Sequence, residues 1–250
     1  MISVCMSAYN GEKYIYRQIK SILDQLKRDD ELIIYDDASV DKTLDIIKSF
    51  YDPRIRLITG EENVGFLKGF QCAMEQAKGE YIFLSDQDDL WMPNKLEKQI
   101  RFMEENGYAF SYTNYEEIDV NGNKTGVTVT GPKKISKIGM FNYCWPGCLT
   151  VMYNAEKVGL IQIEDIKKNN DYAMWLKVCK KADCYLLDET LGQYRKGRVG
   201  SVSTHSIKTM IGWHFKLYHE AEGMGWIESL INTGRNLVFG FYKKKRYVRR

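Results

Sequence analysis

The sequence predicts an α/β fold organised on a largely parallel sheet. Three observations lead there. Short apolar runs alternate with helical patterns four times before residue 105, which is the signature of strands joined by crossover helices. Several of those apolar runs end directly in acids, where open α/β sheets bind their ligands. A 250-residue chain that is 44% hydrophobic and 13% aromatic also carries enough apolar side chains for one sizeable core.

The pairs are, in order, a strand at Ile2–Ser7 and a helix at Glu12–Gln25, then Glu31–Tyr35 with Lys42–Phe50, Ile55–Thr59 with Gly65–Lys78, and Tyr81–Ser85 with Pro93–Glu104. The helix from Gly65 rests on Phe66, Phe70, Ala73, Met74 and Ala77 at helical spacing, with Lys78-Gly79 as a stop. Pro93 suits a first helical turn, where no N–H is needed. After Tyr108 the pattern shortens to strands at Tyr108–Thr113, Ile118–Val120 and Cys148–Tyr153, with turn signals at Asn121-Gly122 and Gly131-Pro132. A mixed sheet is expected there. Asp171–Ala182 returns to helical spacing and is followed by an apolar run at Cys184–Leu187. One further helix is expected from Ile207 to Ala221 and another from Met224 to Phe241.

Composition removes several classes of function. With 28% charged residues and no apolar run near the roughly 18 to 20 residues needed to cross a bilayer, the chain is not membrane-spanning. Met1–Ser7 lacks a preceding basic segment and a small-residue cleavage site, so it reads as a strand and not a signal peptide, and a cytoplasmic protein is expected. Cys5, Cys72, Cys144, Cys148, Cys179 and Cys184 form no Cys-x-x-Cys pair and predict reduced, mostly buried thiols. His214 and His219 are five apart, off a common helical face, so no zinc site is expected. The net charge of +3 arises in the tail: residues 241–250 hold six of the 36 basic residues and no acid, leaving 30 against 33 acids before Phe241. A mildly acidic main body argues against nucleic acid as a partner.

The strongest chemical signal is Ser85-Asp86-Gln87-Asp88-Asp89-Leu90-Trp91. Like charges a few ångströms apart repel and raise one another's pKa, so a cation is the natural partner, and hard oxygen ligands select Mg²⁺ or Mn²⁺. Asp86 and Asp88 are two apart and project to one side if the chain stays extended. A solvated acidic turn that caps the next helix is the competing explanation. A second strand, Leu32–Tyr35, ends in Asp36-Asp37, with a helix cap expected among Ser39 and Asp41. Carboxylates at neighbouring strand ends can accept the imide N–H of uracil or thymine and ribose hydroxyls. The first strand ends in Ser7-Ala8-Tyr9-Asn10-Gly11, where a ring can flank a base and Asn10-Gly11 permits a turn.

These segments resemble the successive motifs of family 2 glycosyltransferases: Ala8-Tyr9-Asn10-Gly11, Asp36-Asp37-Ala38-Ser39-Val40-Asp41-Lys42-Thr43, Asn63-Val64-Gly65 and Asp86-Gln87-Asp88-Asp89-Leu90-Trp91, four motifs in order within the first hundred residues. The second half matches more loosely. The resemblance implies a GT-A fold, a nucleotide-diphosphate sugar donor and a divalent metal, Mn²⁺ or Mg²⁺, on the diphosphate. By position, Ala8 and Tyr9 would line the nucleoside, Asp36 or Asp37 would contact the base, Asp86 would face the ribose and Asp88 the metal. Asn63, Gly65 and Lys68 would lie along the donor. The Ser85–Trp91 wording is similar to bacterial enzymes that build surface polysaccharides, rhamnosyltransferases among them. In inverting members a carboxylate at the start of a helix removes the acceptor hydroxyl proton. Asn169-Asn170-Asp171-Tyr172 resembles that segment and makes Asp171 the candidate base, although Asn170 stands where the family often has an acid. A plain helix cap is the competing role for Asp171.

Tyr194–Ser201 combines glycines with three cations and is a candidate for a mobile loop over diphosphate, with Arg198 standing where family members have a nearby His, against the alternative of a solvated connection. Trp145 is a candidate for the acceptor pocket, against the alternative of a core aromatic. The basic tail with its nearby aromatics suits an anionic membrane surface on the inner face of the plasma membrane, against the alternative of a solvated end. The expected organisation is a catalytic domain over residues 1–205 and a helical basic extension over 206–250. Its expected activity is metal-dependent, inverting sugar transfer to a glycan or lipid-linked acceptor. Two rivals remain: a phosphatase of the haloacid-dehalogenase type, which also places Asp-x-Asp after a strand, and a non-catalytic nucleotide-sugar-binding module.

Overall fold

Seven elements alternate along the first 86 residues of the computed structural model, which describes residues 1–164, 166, 168–197 and 207–250. They are β1 (Ile2–Ala8), α1 (Ile15–Leu23), β2 (Glu31–Asp36), α2 (Thr43–Lys48), β3 (Ile55–Thr59), α3 (Phe66–Glu75) and β4 (Tyr81–Asp86). The four strands are parallel in the order β4-β1-β2-β3. β1 is central, and its register pairs Ala8 with Asp36 of β2 and Ser7 with Asp86 of β4. Strand order reverses beside β1, so the carboxyl ends of β2 and β4 flank a topological switch point.

The remainder is β5 (Leu90–Trp91), α4 (Lys95–Asn106), β6 (Phe110–Ile118), β7 (Lys124–Val129), β8 (Lys134–Ile135), α5 (Lys137–Asn142), β9 (Met152–Asn154), α6 (Ala155–Val158), α7 (Asn170–Cys179), β10 (Cys184–Arg195), α8 (Ile207–Lys216), α9 (Trp226–Arg246) and β11 (Val248–Arg249). β9 joins the two halves, antiparallel to both β4 and β6. The mixed sheet expected after Tyr108 is present, with different boundaries. Ile118 ends β6 instead of opening a strand, because Asp119 Oδ1 accepts the N–H groups of Asn121 and Asn123 at 2.8 and 2.9 Å and closes a hairpin turn. β7 returns antiparallel from that turn. Cys148–Thr150 is a 3-10 turn, with the Thr150 N–H on the Gly147 carbonyl, and only Met152–Asn154 is strand. The run from Cys184 continues to Arg195, parallel to β6 with irregular register around Thr190.

Side chains alternate across a strand, and that alternation divides the core in two. Val4, Met6 and Ala8 of β1 and Leu32 and Ile34 of β2 pack with Ile15, Ile19 and Ile22 of α1, Ile47 of α2 and Leu96 and Met103 of α4. Cys5, Ile33, Tyr35, Ile82 and Leu84 face the other way, onto Phe70, Ala73 and Met74 of α3 and Tyr172, Met174 and Trp175 of α7. The six cysteines are unpaired.

α8 runs on through a π-helical turn at Leu217–Ala221, which buries Leu217 and Tyr218 in that second core. α9 then docks through a polar network: Asn236 Nδ2 donates to the hydroxyls of Tyr172 and Tyr218 at 3.3 Å each, and those hydroxyls reach the Met140 and Phe141 carbonyls at 2.6 and 2.7 Å. The basic tail is not a free end. It is helical to Arg246, and Val248 and Arg249 pair antiparallel with Val129 and Thr128 of β7.

Candidate active site

The loops after β1 and β2 are laced together before any ligand is considered. Asn10 N–H donates to Ser39 Oγ at 3.0 Å, Val40 N–H to Asn10 Oδ1 at 3.0 Å, Gly11 N–H to Thr43 Oγ1 at 2.7 Å and Glu12 N–H to Asp41 Oδ2 at 3.1 Å. Asn10 and Ala38 take the positive φ values, 46° and 57°, that these turns require. Gln87 clamps the first loop from the far side, accepting Tyr9 N–H at 3.0 Å and donating to the Tyr9 carbonyl at 2.9 Å. Gly11 lies directly beneath that clamp, where an added Cβ would come 2.2 Å from Gln87 Oε1 and displace the glutamine amide from Tyr9.

Asp37 continues the register of β2 on the face of Ile33 and Tyr35. Its carboxylate is fully buried and accepts the N–H groups of Val64 and Gly65, each at 2.8 Å. The Asp37 carboxylate therefore holds the chain entering α3, where Gly65 has φ +89°. A carboxylate offers about four lone-pair sites, so further acceptance toward the cleft is available.

After β4 the acids crowd. Asp86 and Asp88 face a cleft of about 750 Å³, on the side of Leu84. Asp89 is buried, with Oδ1 accepting Arg195 N–H at 3.0 Å and Oδ2 without a partner. Burial first, and then the charges of Asp86 and Asp88, push its carboxyl well above the ordinary aspartate value. Arg195 is buried behind the loop. Its Nε donates to the Asp88 carbonyl at 2.8 Å, Nη1 to the Asp119 carbonyl at 2.9 Å, and the guanidinium lies 4.6 Å from the Tyr14 ring centre. This is a strand residue and not part of a mobile loop over the cleft, as the sequence suggested for Tyr194–Ser201.

Asp171 enters the same cleft from the first turn of α7. Burial raises its carboxyl above the ordinary aspartate range, against hydrogen bonds from the Tyr172 N–H and its own. Cys148 lies between the two acidic groups: after burial, the charges of Asp86, Asp171 and Asp89 raise its thiol. Asn170 turns its Oδ1 to the Asp171 N–H at 2.9 Å, and its buried Nδ2 has no protein partner. His214 of α8 lines the wall at 3.2 Å from Asn169 Nδ2, and burial lowers it to about 4, so it is neutral at pH 7. Lys243 of α9 also lines the cleft; its Nζ donates to the Trp145 carbonyl at 2.7 Å, and burial lowers it to about 8.

Seven of the residues singled out in the sequence thus line one cleft: Tyr9, Asp37, Asn63, Gly65, Asp86, Asp88 and Asp171. Others do not. Ala8 and Asp36 fall on the opposite face of their strands; Ala8 packs with α1, and Asp36 Oδ2 accepts the Ser39 N–H at 3.1 Å. Lys68 is exposed on the outer side of α3. Trp145 is a core residue, with Nε1 on the Gly139 carbonyl at 2.9 Å and its ring against Phe239, Tyr242 and Tyr247; its neighbours Pro146, Gly147 and Cys148 reach the cleft instead. Arg198 lies outside the described residues. Phe66, assigned by its spacing to the core of α3, lines the cleft. His214 and Lys243 carry no motif and reach the cleft only by folding. Gln87 lies inside the Asp86–Trp91 motif, but its clamp on Tyr9 is set by the fold.

A divalent cation fits this acid loop in one specific way. Among the described residues no three His, Cys, Asp or Glu side chains form a protein-only metal cage. Small divalent cations are commonly held by one or two carboxylates together with substrate phosphates, and the charge concentrated at Asp86, Asp88 and the orphaned Asp89 oxygen supplies that half of a site.

The chain is similar to known proteins in both fold and sequence. The fold resembles residues 1-349 of S. aureus TarS in complex with UDP-GlcNAc (TM-score 0.71, 19% identity, 96% of this chain and 74% of that one). It also resembles the mannosyltransferase PcManGT of Pyrobaculum calidifontis in complex with GDP-Man and Mn²⁺ (TM-score 0.64, 12% identity, 96% and 75%). The fold is therefore GT-A-like, as the motifs implied. In sequence the chain is 34% identical over 232 residues to the putative teichuronic acid biosynthesis glycosyltransferase TuaG of Bacillus subtilis, covering 92% of this chain and 91% of that protein. It is 36% identical over 211 residues to the UDP-Glc:alpha-D-GlcNAc-diphosphoundecaprenol beta-1,3-glucosyltransferase WfaP of Escherichia coli, covering 84% and 83%. The family model for glycosyl transferase family 2 matches residues 3–155, from β1 through the acid loop to β9. The phosphatase and binding-module readings of the Asp-x-Asp loop fall away, and the chain belongs to glycosyl transferase family 2 as a glycosyltransferase.

Proposed function

We propose that the protein transfers a hexose, with inversion, from a UDP-sugar to a lipid-diphosphate-linked glycan during synthesis of a bacterial surface polysaccharide. One observation carries this reading: carboxylates from three separate segments, Asp37, Asp86 with Asp88, and Asp171, line a single cleft at the switch point of the sheet. The relatives whose names state a donor use UDP-Glc and a diphosphoundecaprenol acceptor, which favours a glucosyl donor over the rhamnosyl one suggested by the Ser85–Trp91 wording.

Tyr9, Asp37 and Asn63 form the nucleoside end of the cleft, and Asp86 offers its carboxylate to ribose hydroxyls. Asp88, with Asp86, would hold a divalent cation, which supplies charge neutralisation for the departing diphosphate. Gln87 and Arg195 act behind these residues, fixing the Tyr9 loop and the Asp88 backbone, so the site is preorganised. On the acceptor side Asp171 takes the proton of the attacking hydroxyl as the glycosidic bond forms. Its position in the first turn of α7 fixes it against the cleft, and burial makes it a stronger base than a solvated aspartate. Asn170 Nδ2 and the neutral His214 give this wall hydrogen-bonding capacity without competing carboxylate charge. No covalent intermediate on the protein is required.

The test is incubation with UDP-glucose and a GlcNAc-diphosphate-lipid acceptor, followed by NMR of the product. A β-linked disaccharide is expected from the α-configured donor. Retention of configuration, or hydrolysis of donor without transfer, overturns the reading.

A further inference from the structure

α9 is mounted with its polar side inward. At 3.6 residues per turn, Ser229, Asn232, Thr233 and Asn236 share one side and are buried, between 0% and 6% exposed. Their hydrogen bonds are met internally: Ser229 Oγ donates to the Gly225 carbonyl at 2.9 Å, Thr233 Oγ1 to the Ser229 carbonyl at 2.7 Å and Asn236 to the two tyrosine hydroxyls. The opposite side, a sector of about 120°, carries Ile227, Leu230, Ile231, Val238 and Phe241. These are 74%, 45%, 57%, 66% and 71% exposed. A helix that satisfies its polar stripe against the protein and presents its apolar stripe to the outside is complementary to an apolar phase beyond the protein surface.

The charge pattern selects that phase. Lys245 continues the same outward sector, Lys244 falls at its edge in line with Trp226, both are exposed, Arg246, Arg249 and Arg250 follow, and Glu228 is the one acid between Trp226 and the end of the chain. Trp226 and Tyr242 flank the stripe, both exposed. Apolar residues bordered by aromatics, with cations and almost no acid, form the composition of a helix lying in the interface of an anionic bilayer. Among the described residues no helix is long and apolar enough to cross a membrane.

We propose that the outward face of α9, from Ile227 to Lys245, docks the protein on an anionic lipid bilayer. This goes beyond the catalytic reading and shifts the contact from the terminal residues 241–250 to the body of the helix, because Val248 and Arg249 are paired to β7. Lys243 projects from the inward side of the same helix and lines the cleft, so the element lying on lipid also forms a wall of the active site.

The experiment is flotation of the full chain with vesicles of phosphatidylglycerol and phosphatidylethanolamine, compared with phosphatidylcholine alone, at low and high salt. The wild-type protein is expected to float with the anionic vesicles and to be released by salt. Ile231→Ser with Phe241→Ser, and separately Lys244→Gln with Lys245→Gln, are each expected to weaken partitioning roughly tenfold or more. All four positions are exposed, so melting temperature and turnover on a water-soluble acceptor should be unchanged, which keeps loss of docking separate from failure of the proposed reaction. Wild-type protein that stays unbound, or that binds neutral and anionic vesicles alike, overturns the proposal. So does a concentration-dependent dimer that dissociates in the serine variant, which would make a second copy the occupant of this face.

Discussion

Burial of the Lys95 ammonium costs stability. Lys95 is fully buried between the rings of Phe83 and Trp91, at 5.5 and 5.6 Å, with Gln99 Oε1 accepting from its Nζ at 3.0 Å. Burial lowers it from 10.5 to about 7. A folded-state value below the unfolded one means that the unfolded chain binds the proton more tightly. The resulting penalty grows as pH falls from about 10.5 to 7 and is constant below that, at roughly 5 kcal/mol. Lys95→Met removes it but leaves Gln99 Oε1 unpaired, at about 1 to 3 kcal/mol. Urea unfolding at pH 7 should show a net gain of about 2 kcal/mol or more that shrinks toward pH 10; a loss of stability would refute the assignment. Asp171 titrates with the opposite sense. A base acts deprotonated, so the acid limb of kcat/KM should fall at a pH above the ordinary aspartate range. Asp171→Asn should lose about 10² to 10⁴ in kcat while still binding UDP; near-normal turnover would exclude it. At this scale the sequence was legible wherever a motif spans several residues, as at Asp86-Gln87-Asp88. It was not legible for Ala8 and Asp36, because one step along a strand reverses the face.

Among elements, β10 does the most to position chemistry that it does not itself perform. It brings Arg195 behind the acid loop, where one guanidinium joins β10, the Asp88 carbonyl and the β6–β7 turn. Arg195→Met keeps the length but takes the side-chain donor from the buried Asp88 carbonyl, while the Asp119 carbonyl keeps the Gly122 N–H. A loss of about 1 to 3 kcal/mol is expected in urea unfolding, with weaker UDP binding, because the Asp88–Asp89 backbone is no longer held. Unchanged stability and UDP affinity would show that the loop is fixed by other contacts. Apolar spacing identified α9 as a helix but not its orientation. Periodicity reports that a face is apolar, and here the tyrosine hydroxyls of the core selected the polar face instead.

For the whole molecule, the cleft is an assembly of β1, α3, β4, β6, α7, β10, α8 and α9 with the loops that follow β1, β2 and β4, and its ligands should stabilise all of them together. Binding to the folded state alone contributes about 2.7 kcal/mol at one hundred times Kd, or roughly 5 to 10 °C in Tm for a chain of this size. UDP with Mn²⁺ should give a shift of that order. Chelator, or Asp88→Asn, should remove most of it, and an unchanged shift in chelator would remove the metal from the site.

The sequence alone determined the alternation of strands and helices, the acids at the strand ends and the family they resemble, because these follow from local spacing and from motifs continuous in the chain. Tertiary structure decided that Asp37 and not Asp36 faces the cleft, that Trp145 belongs to the core, that Gln87 clamps the Tyr9 loop, that His214 and Lys243 reach the site, and that α9 turns its apolar face outward. Those outcomes depend on which faces and hydrogen-bonding groups meet across more than a hundred residues of chain, and only the packed sheet and helices fix those meetings.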